Sequence, residues 1–543
     1  MTDTQSKSGE AADQLTSQPE FFRANLTYPH IPFAQMLTES AARHPENVAV
    51  IFKDLNLTYR ELDSLVNAFA NALHDLGIRK GDRVCLYMTN RPEYIVSFYA
   101  LARIGAVVSP MNPSYKEREV EYQLNNSEAI GIICQSELLP LVQQVRSIAP
   151  ALQHVIAVGP DRNVPTDVLH FASLIHKYPA TAPVPVGIDW EDLLALPYSS
   201  GTTGLPKGVM LCHRNLVCNY VQMAATMRYT SQDKAMLFLP FYHIYGIMLM
   251  GATMYSGATA ILMERFEPTE SFRLIREKGV TLLFVVPPIL VAMANMNNLN
   301  PEDFASVRFV MTGAAPAAIE IIRKVSRAIN CFISQGYGLS EASPLTHLNP
   351  VNGEAKDEPI TVGLPVHDTL QKIVDIETGE QELGPNEVGE LVVYGPQVMQ
   401  GYWKAPEATA VTLRNGWLYT GDIGSLNERG YLTISDRKKE MIKYKGFGIA
   451  PAEIEALLFE HPAVADVAVV PKPDDEAGEL PKAYVVKKAD AIVTEAEILA
   501  FANGKLAGYK KVHEVEFIDA IPKNASGKLL RRVLKERERE KRG

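Results

Sequence analysis

"YSSGTTGLPKGVML", residues 198–211, is the stretch that most constrains this chain, because it has the composition of a loop built around an anion. Its three glycines let backbone N–H groups approach a phosphate, and its hydroxyl groups and one lysine add further donors. It is not a P-loop, which needs glycine before the lysine and a hydroxyl residue after it. A flexible linker is the alternative, but Pro206 and the apolar run at 209–211 disfavour one. We predict a phosphate site made by Ser199, Ser200, Gly201, Thr202, Thr203, Gly204 and Lys207.

The length and charge of the chain exclude several classes of protein. At 543 residues it is too long for one hydrophobic core, so several domains are expected. A net charge of −10 disfavours a nucleic-acid partner. Five cysteines without paired spacing disfavour a disulfide framework or a zinc site and suit a reducing cytosol. We therefore predict a cytoplasmic protein, and the sequence leaves a homodimer open.

Three segments need separate interpretation. Residues 1–28 are polar and lack the apolar stretch of a signal peptide, so we predict a disordered leader. Residues 235–263 contain no Asp, Glu, Lys or Arg and are long enough to cross a bilayer, but proline, histidine and glycines interrupt them. We interpret them as buried core and expect no integral membrane segment. The tail from Arg531 is dense in charge of both signs and is expected to be a solvated helix or frayed end.

The order of predicted elements indicates an α/β protein. Residues 48–52 read as a strand, and Thr58 with Glu61 forms a capping box that begins an amphipathic helix. Strands and helices then alternate, which predicts parallel sheets with helices on their faces. Residues 361–435 have short strand-like pieces and turns typical of a small β-rich subdomain. From residue 436 onward the pattern is that of a compact α+β module.

Five motifs follow one another in a fixed order along the chain. They are "YSSGTTGLPKGVML" (198–211), "QGYGLSEAS" (335–343), "GWLYTGDIG" (416–424), "DRKKEMIKYKGFGIAPAEIE" (436–455) and "PKNASGKLLRR" (522–532). Together they resemble the adenylate-forming superfamily, in its AMP-forming acyl-CoA synthetase and 4-coumarate-CoA ligase-like branch. The resemblance implies a large N-terminal adenylation domain (29–435) of αβαβα-type sheets and a mobile C-terminal domain (436–543). It also implies that ATP and CoA are substrates and Mg²⁺ a cofactor.

The resemblance assigns the nucleotide site residue by residue. The opening loop would hold the β- and γ-phosphates, Asp422 would accept the ribose hydroxyls, and Arg437 would accompany it. Ser340, where the family usually has threonine, keeps a hydroxyl for the α-phosphate. The adenine would be flanked by Gly313, Ala314, Ala315, Pro316 and Tyr337, and the nucleotide would also be bound by Gly336 and Gly338.

Three further groups are implied by the same resemblance. Glu341, with Thr202, would bind Mg²⁺, which prefers hard oxygen ligands. Lys528 would bridge the carboxylate of the acid and the α-phosphate; without the family match it would read as a solvated lysine. Asp436 would be the hinge about which the C-terminal domain rotates after adenylation. That rotation would present the CoA-binding loop, made of Lys443, Lys445, Gly446, Phe447 and Gly448, for the thiol step.

The acid pocket is the least determined part of the prediction. His243 matches a family position between the acid pocket and the thiol tunnel, although a core histidine is the alternative. The lining is predicted to be His243, Tyr245, Gly246, Leu249, Ala315, Gly336, Ser343 and Pro344. This set offers no cation for a second carboxylate, and the small residues Ala315 and Gly336 leave depth. With a methionine-rich neighbourhood, it favours a medium- or long-chain fatty acid. A 4-coumarate-type aryl acid and a stand-alone enzyme that loads a carrier protein are the alternatives.

Overall fold

Alternating strands and helices build most of the molecule, as the sequence predicts. The computed structural model describes residues 25–160, 164–199, 205–296, 299–315, 317–351, 361–445, 447–474, 476–489, 491–523 and 529–541. The helices before residue 361 are α1 (Phe33–Arg43), α2 (Tyr59–Asp75), α3 (Pro92–Arg103), α4 (Glu117–Ser127), α5 (Leu139–Val145), α6 (Phe171–Lys177), α7 (His213–Thr226), α8 (Ile244–Tyr255), α9 (Pro268–Lys278), α10 (Pro287–Ala294) and α11 (Ile319–Ile329).

The strands of the same region form two large mixed sheets. They are β1 (Val48–Phe52), β2 (Leu55–Thr58), β3 (Arg83–Tyr87), β4 (Val107–Met111), β5 (Gly131–Gln135), β6 (His154–Val158), β7 (Leu169–His170), β8 (Leu193–Ala195), β9 (Tyr198–Ser199), β10 (Lys207–Cys212), β11 (Lys234–Leu237), β12 (Thr259–Leu262), β13 (Leu282–Val285), β14 (Phe309–Thr312), β15 (Ile333–Gly338), β16 (Leu345–Leu348) and β17 (Leu364–Pro365). One sheet has the order β17-β16-β15-β14-β13-β11-β12-β1-β2. The other runs β10-β8-β4-β3-β5-β6-β7.

The parallel centres of both sheets explain the apolar runs in the sequence. In β3, β4 and β5 both faces are buried, as is usual where helices cover a parallel sheet on each side. The predicted capping box is also confirmed: the Thr58 amide donates to Glu61 Oε2 at 2.8 Å, and the Glu61 amide donates to Thr58 Oγ1 at 3.2 Å. Local sequence and tertiary burial therefore agree in this region.

The uncharged segment 235–263 is core, as predicted. It supplies most of β11, all of α8 and β12, and α8 is buried from Ile244 to Met254. Gly251 in α8 packs against Tyr220, whose ring leaves no room for a Cβ atom. Among the residues that the structure describes, no helix is both long and apolar enough to span a bilayer.

A smaller β-rich sheet follows, in agreement with the prediction for residues 361–435. Its elements are β18 (Leu370–Val374), β19 (Gly389–Tyr394), β20 (Gly401–Tyr402), α12 (Pro406–Thr412), β21 (Leu413–Arg414), β22 (Trp417–Leu426) and β23 (Leu432–Arg437). β22 lies between β19 and β23, whereas β20 belongs to the second large sheet, as the edge strand beside β10. The pairing of β20 with β10 places residues near 400 beside the strand that follows the predicted phosphate loop.

The last part of the chain is an α+β module with its own core. Its elements are β24 (Ile442–Tyr444), β25 (Phe447–Ile449), α13 (Pro451–Phe459), β26 (Val464–Asp474), β27 (Gly478–Lys487), α14 (Glu495–Asn503), β28 (Glu514–Phe517) and α15 (Arg531–Glu540). The strands form one sheet in which β27 is central. The apolar side chains between this sheet and α13 and α14 form a separate cluster. The fold-class prediction, a large α/β part with a β-rich addition and a smaller α+β part, is confirmed.

Both chain ends differ from the sequence prediction where the structure describes them. Residues 1–24 of the predicted leader lie outside the described residues, but Leu26 and Tyr28 both donate to Asp368 Oδ2, at 3.1 and 2.6 Å. Helix α15 is not simply solvated: its Glu538 is buried and accepts from Lys482 Nζ at 2.9 Å. Each end packs because it meets a charged partner on the folded body, the carboxylate of Asp368 at the N-terminal end and the ammonium group of Lys482 at the C-terminal end.

Candidate active site

The described residues on either side of the predicted phosphate loop lie on two paired antiparallel strands, β9 and β10. Ser199 on β9 is the cross-strand neighbour of Lys207 on β10, so the two described ends of the loop are held in register. Five residues assigned to the phosphate site lie outside the described residues: Ser200, Gly201, Thr202, Thr203 and Gly204. The described part therefore gives the anchors of the loop, a hydroxyl and an ammonium group at the start of a buried strand.

Glu341 lies opposite this pair of strands. A single turn of 3-10 helix, Ser340–Ala342, follows β15 and carries the carboxylate. Its Oε1 atom accepts two hydrogen bonds, from Ser199 Oγ at 3.3 Å and from Tyr402 Oη at 2.8 Å. The sequence does not predict Tyr402, which β20 brings to the site. It stands in "GYWK" (401–404) after an apolar stretch, and this pattern does not indicate that Glu341 is its partner.

The donor set suits a metal that is held mainly by a bound phosphate. Among the described residues no cluster of three or more His, Cys, Asp or Glu side chains could hold a metal ion by itself. Mg²⁺ in nucleotide sites takes one or two carboxylates and completes its shell with waters and phosphate oxygens. A single carboxylate with one oxygen not engaged by any described donor, as at Glu341, fits that chemistry. Thr202, the second predicted ligand, lies outside the described residues.

A charged pair and a tyrosine form the predicted ribose site. Asp422 on β22 is buried and pairs with Arg437 Nε of β23 at 3.0 Å, because the two residues are cross-strand neighbours. The Tyr337 hydroxyl donates to Asp422 Oδ2 at 2.5 Å. Burial raises the pKa of Tyr337, as does the charge of Asp422, so the hydroxyl keeps its proton. The charge of Asp422 raises the pKa of Arg437. The arrangement is a fixed carboxylate that has donors on both sides.

Backbone conformation singles out two of the predicted residues. Ala314 has φ +71° and Ser343 has φ +75°, a region that non-glycine residues rarely adopt. Such strain costs about 1–3 kcal/mol and clusters at ligand sites. The Ser343 hydroxyl donates to the Gln397 carbonyl at 2.8 Å, which helps to hold its turn in place. Gly313 lies against Gly336, and Pro316 lies outside the described residues.

Four residues predicted to line the acid pocket, His243, Tyr245, Gly246 and Leu249, lie at the start of α8. His243 is the N-cap of this helix, and its Nδ1 accepts from the Tyr245 amide at 3.3 Å, so Nε2 carries the ring proton of the neutral imidazole. The ring of Tyr245 lies close to Gly313, with Cε1 3.8 Å from the Cβ position of that glycine. The Tyr245 hydroxyl is buried and has no hydrogen-bond partner among the described residues. It is a buried donor that a ligand could satisfy.

Two glycines of the predicted pocket have structural reasons of their own. A Cβ atom at Gly246 would lie 2.1 Å from the Pro240 carbonyl oxygen, so glycine is needed for α8 to approach that loop. A Cβ atom at Gly336 would lie 2.4 Å from Met311 Cε. The space that we expected Gly336 to leave is thus occupied by Met311. This residue is not among the predicted lining, and its flexible end can yield to a ligand.

The predicted hinge residue is tied to the C-terminal module. Asp436 is buried, and its Oδ2 accepts from the Ala452 amide at 2.9 Å, in the first turn of α13. Its Oδ1 lies 3.7 Å from Arg531 of α15. Burial raises the pKa of Asp436, and the charge of Arg531 opposes that rise. One carboxylate therefore connects the end of β23 to two helices of the module.

The predicted CoA-binding residues form a hairpin at the edge of the same module. β24 and β25 carry Lys443, Phe447 and Gly448 and pair with each other, and β24 also pairs with the start of β27. Lys443 N donates to Glu479 at 2.7 Å, and Lys445 Nζ pairs with Glu476 at 2.9 Å. These contacts do not bring the hairpin to Glu341 or Asp422. Gly446 and Lys528 lie outside the described residues.

Two family models match the chain. The model described as AMP-binding enzyme covers residues 37–403, and the model described as AMP-binding enzyme C-terminal domain covers residues 453–528. The first spans both large sheets and much of the β-rich region. The second spans most of the α+β module.

Relatives and solved structures agree over nearly the whole length. The chain is 36% identical to a long-chain-fatty-acid–CoA ligase of Bacillus subtilis, over 97% of this chain and 98% of the relative. It is 40% identical to 4-coumarate–CoA ligase 1 of Petroselinum crispum, over 88% of this chain and 89% of the relative. The crystal structure of ATP-bound MatB from Rhodopseudomonas palustris superposes with a TM-score of 0.87 at 28% identity, covering 94% of this chain and 100% of MatB.

Proposed function

The chain belongs to the AMP-binding enzyme family, among its AMP-forming acid–CoA ligases, and we propose that it activates an uncharged hydrophobic carboxylic acid with ATP and transfers it to CoA. The observation that carries the proposal is the convergence of Glu341, Ser199 and Tyr402 on one side and Tyr337, Asp422 and Arg437 on the other. One set suits a metal triphosphate and the other a ribose. The strand β15 leads to both, since it carries Tyr337 and precedes Glu341.

The first half-reaction forms an acyl-adenylate. A carboxylate oxygen attacks the α-phosphorus of ATP, the bond to the β-phosphate oxygen breaks, and pyrophosphate leaves. Asp422 would accept the ribose hydroxyls, Lys207 would bind the departing phosphates, and Ser340 and Lys528 would hold the α-phosphate. Mg²⁺ held by Glu341 would neutralise charge on the phosphate oxygens. Fixed partners for each developing charge are what such a step requires.

The second half-reaction releases AMP. The CoA sulfur attacks the acyl carbon, the bond to the AMP oxygen breaks, and the thiol proton is lost. Asp436 would act as the hinge that lets the C-terminal domain, residues 436–543, bring the Lys443–Gly448 hairpin to the acyl carbon. Among the described residues, the contacts of Lys443 and Lys445 run to Glu479 and Glu476 of the same module, which supports a movement of hairpin and module as one unit.

A fatty acid is the favoured substrate, and a hydroxyaryl acid is the second candidate. The pocket residues around Tyr245 and Leu249 are apolar, which suits either. The methionines that suggested a flexible chain are mostly core: Met236, Met248, Met250, Met254 and Met293 are fully buried. They therefore discriminate less than the sequence suggested. The Tyr245 hydroxyl, which has no partner among the described residues, is the observation that supports the second candidate, since it would suit an acid with a hydrogen-bonding group within its reach.

The decisive experiment is pyrophosphate exchange over a panel of C2 to C18 acids and aryl acids, followed by AMP release with and without CoA. We expect exchange with uncharged hydrophobic acids and AMP release that depends on CoA. Glu341→Ala, which removes the metal carboxylate, is the inactive control. The proposal would be refuted if no acid of the panel supported exchange, or if AMP release needed a carrier protein in place of CoA.

The proposal includes a cytoplasmic location. It rests on the five cysteines, each of which is buried as a thiol, as suits a reducing compartment. Burial raises the pKa of Cys85 and of Cys134 to about 12, so these thiols stay protonated and unreactive.

A further inference from the structure

Tyr402 joins three parts of the nucleotide site that are distant in sequence. Its strand β20 pairs antiparallel with β10, so that Tyr402 is the cross-strand partner of Val209. The amide of Trp403 donates to the Gly208 carbonyl at 2.8 Å, which extends the pairing to the base of the phosphate loop. The Tyr402 amide is held by Thr409 Oγ1 at 2.9 Å. The backbone of Tyr402 is thus fixed against the strand that carries Lys207.

The hydroxyl of Tyr402 is directed at the metal carboxylate. It lies 2.8 Å from Glu341 Oε1, the same atom that Ser199 Oγ approaches at 3.3 Å. A carboxylate only accepts hydrogen bonds, so the tyrosine is the donor. Burial raises the pKa of Tyr402, as does the charge of Glu341, which keeps the proton on the hydroxyl. Two donors on Oε1 leave Oε2 as the atom that no described donor engages.

The ring of Tyr402 faces the other charged group of the site. Lys207 Nζ lies 5.5 Å from the ring centroid, within the range in which an ammonium is attracted to an aromatic face. The backbone of Glu341 is tied to the same segment, since the Met399 amide donates to the Glu341 carbonyl at 2.9 Å. One side chain therefore contacts both the cation predicted for the phosphates and the anion predicted for the metal.

We propose that Tyr402 is a positioning residue for adenylation: its hydroxyl fixes Glu341 with Oε2 free for the divalent cation, and its ring orients Lys207. The inference rests on the proposed function, in which Glu341 binds Mg²⁺ and Lys207 binds phosphate. The contact of the Tyr402 hydroxyl with Glu341 and the contact of its ring with Lys207 can be removed by different substitutions. Removing the hydroxyl should weaken binding that depends on the metal, whereas removing the ring should also weaken binding of the nucleotide without metal.

The test is calorimetric titration of ATP with the full-length protein, in excess Mg²⁺ and in EDTA, without any acid. Tyr402→Phe should bind Mg·ATP about tenfold more weakly, since hydrogen bonds to charged groups are worth roughly that factor or more, and should bind metal-free ATP within about twofold of wild type. Tyr402→Leu should weaken both. Tyr419→Phe, which removes a hydroxyl bonded to the Gly379 carbonyl at 2.9 Å, is the matched control and should change neither.

A double-mutant cycle separates positioning from a general structural effect. In a Glu341→Gln background, Tyr402→Phe should change Mg·ATP affinity by less than about twofold, because the two residues act through one contact. If Tyr402→Phe does not fold, Thr409→Val removes the acceptor of the Tyr402 amide and should give the same metal-dependent loss, but smaller. Loss that is equal with and without Mg²⁺, no loss in either, or additivity in the cycle would overturn the inference. Because no acid is present, failure of pyrophosphate exchange with every acid would refute the proposed function but not this role.

Discussion

Asp436 and Arg437 are neighbours on one strand, yet their side chains form ion pairs in opposite directions. Arg437 turns back to Asp422 on β22, at 3.0 Å, within the β-rich sheet. Asp436 turns forward to the C-terminal module, where it meets Arg531 at 3.7 Å and the Ala452 amide at 2.9 Å. Adjacent residues of β23 thus carry one ion pair within the β-rich sheet and one to the C-terminal module. The β24 strand, a few residues later, already belongs to the other sheet.

The Asp422–Arg437 pair and the Asp436–Arg531 pair differ in how firmly their geometry is fixed. Asp422 and Arg437 are adjacent on a continuous β-ladder, and the Tyr337 hydroxyl adds a third partner, so their geometry is fixed. The contact of Asp436 with Arg531 is longer, and its other side-chain partner, the Ala452 amide, also lies in the C-terminal module. The pair at Asp422 is therefore held by one sheet, whereas the contacts of Asp436 join two parts of the chain.

Breaking the Asp422–Arg437 pair should have the largest effect on activity. Asp422→Asn removes the charged acceptor of the two ribose hydroxyls and leaves Arg437 without its charge partner, and each hydrogen bond to a charged group is worth about 1.5–3 kcal/mol. We expect adenylation, measured as pyrophosphate exchange at limiting ATP, to fall by about 1,000-fold. The matched control is Glu382→Gln, which breaks the exposed Lys372–Glu382 pair at 3.8 Å and should leave exchange unchanged. A loss of tenfold or less in Asp422→Asn would show that this pair does not position the nucleotide.

Restricting the backbone at Asp436 should slow the second half-reaction much more than the first. Asp436→Pro fixes φ at the proposed hinge, so adenylation should remain within about threefold of wild type while thioester formation falls by about 100-fold, as expected when a reacting group is misplaced. Single-turnover formation of the adenylate, and its consumption by CoA, measure the two steps. Asp436→Asn is the control, because it keeps backbone freedom and should retain both steps within a few fold. Equal loss of both steps in the proline variant would contradict the hinge.

Much of this arrangement is visible in the sequence because it is local. The capping box at Thr58, the strand at 48–52 and the uncharged segment 235–263 depend on neighbours a few residues apart, and the structure has them as predicted. The order of motifs along the chain likewise indicates the nucleotide site, since each motif is a short local pattern. The cross-strand pairing of Asp422 with Arg437 follows from one hairpin.

What the sequence does not reveal depends on sheet order. Tyr402 meets Glu341 only because β20 pairs with β10, a strand from a different region of the chain, and no periodicity encodes that pairing. Met311 fills the space beside Gly336 because β14 lies next to β15. The charged tail was expected to be solvated, but Glu538 packs against Lys482 of the central strand β27. Charge alone does not tell an exposed helix from one that places a single carboxylate on a buried lysine.

The smallest expected effect concerns Arg531, the arginine that faces Asp436. Arg531 lies between two buried carboxylates, Asp436 and Glu455, with its closest approach 2.6 Å to Glu455 Oε2. Burial raises the pKa of both carboxyl groups, and the charge of Arg531 opposes the rise in each. Without the arginine both pKa values should rise further.

The sign of the pH dependence follows from that shift. A carboxyl whose pKa is higher in the folded state binds more protons there than in the unfolded state, so its contribution to stability is present at low pH and is lost as pH rises through the folded pKa. Arg531→Met should therefore destabilise the C-terminal module by about 2 kcal/mol at pH 8 and by less at pH 5. Thermal melting at both pH values measures the difference. Arg532→Met is the matched control, since its exposed contact with Glu536 at 3.6 Å should contribute nothing measurable at either pH. If the deficit of Arg531→Met were larger at pH 5 than at pH 8, the carboxylates would not be the groups that the arginine neutralises.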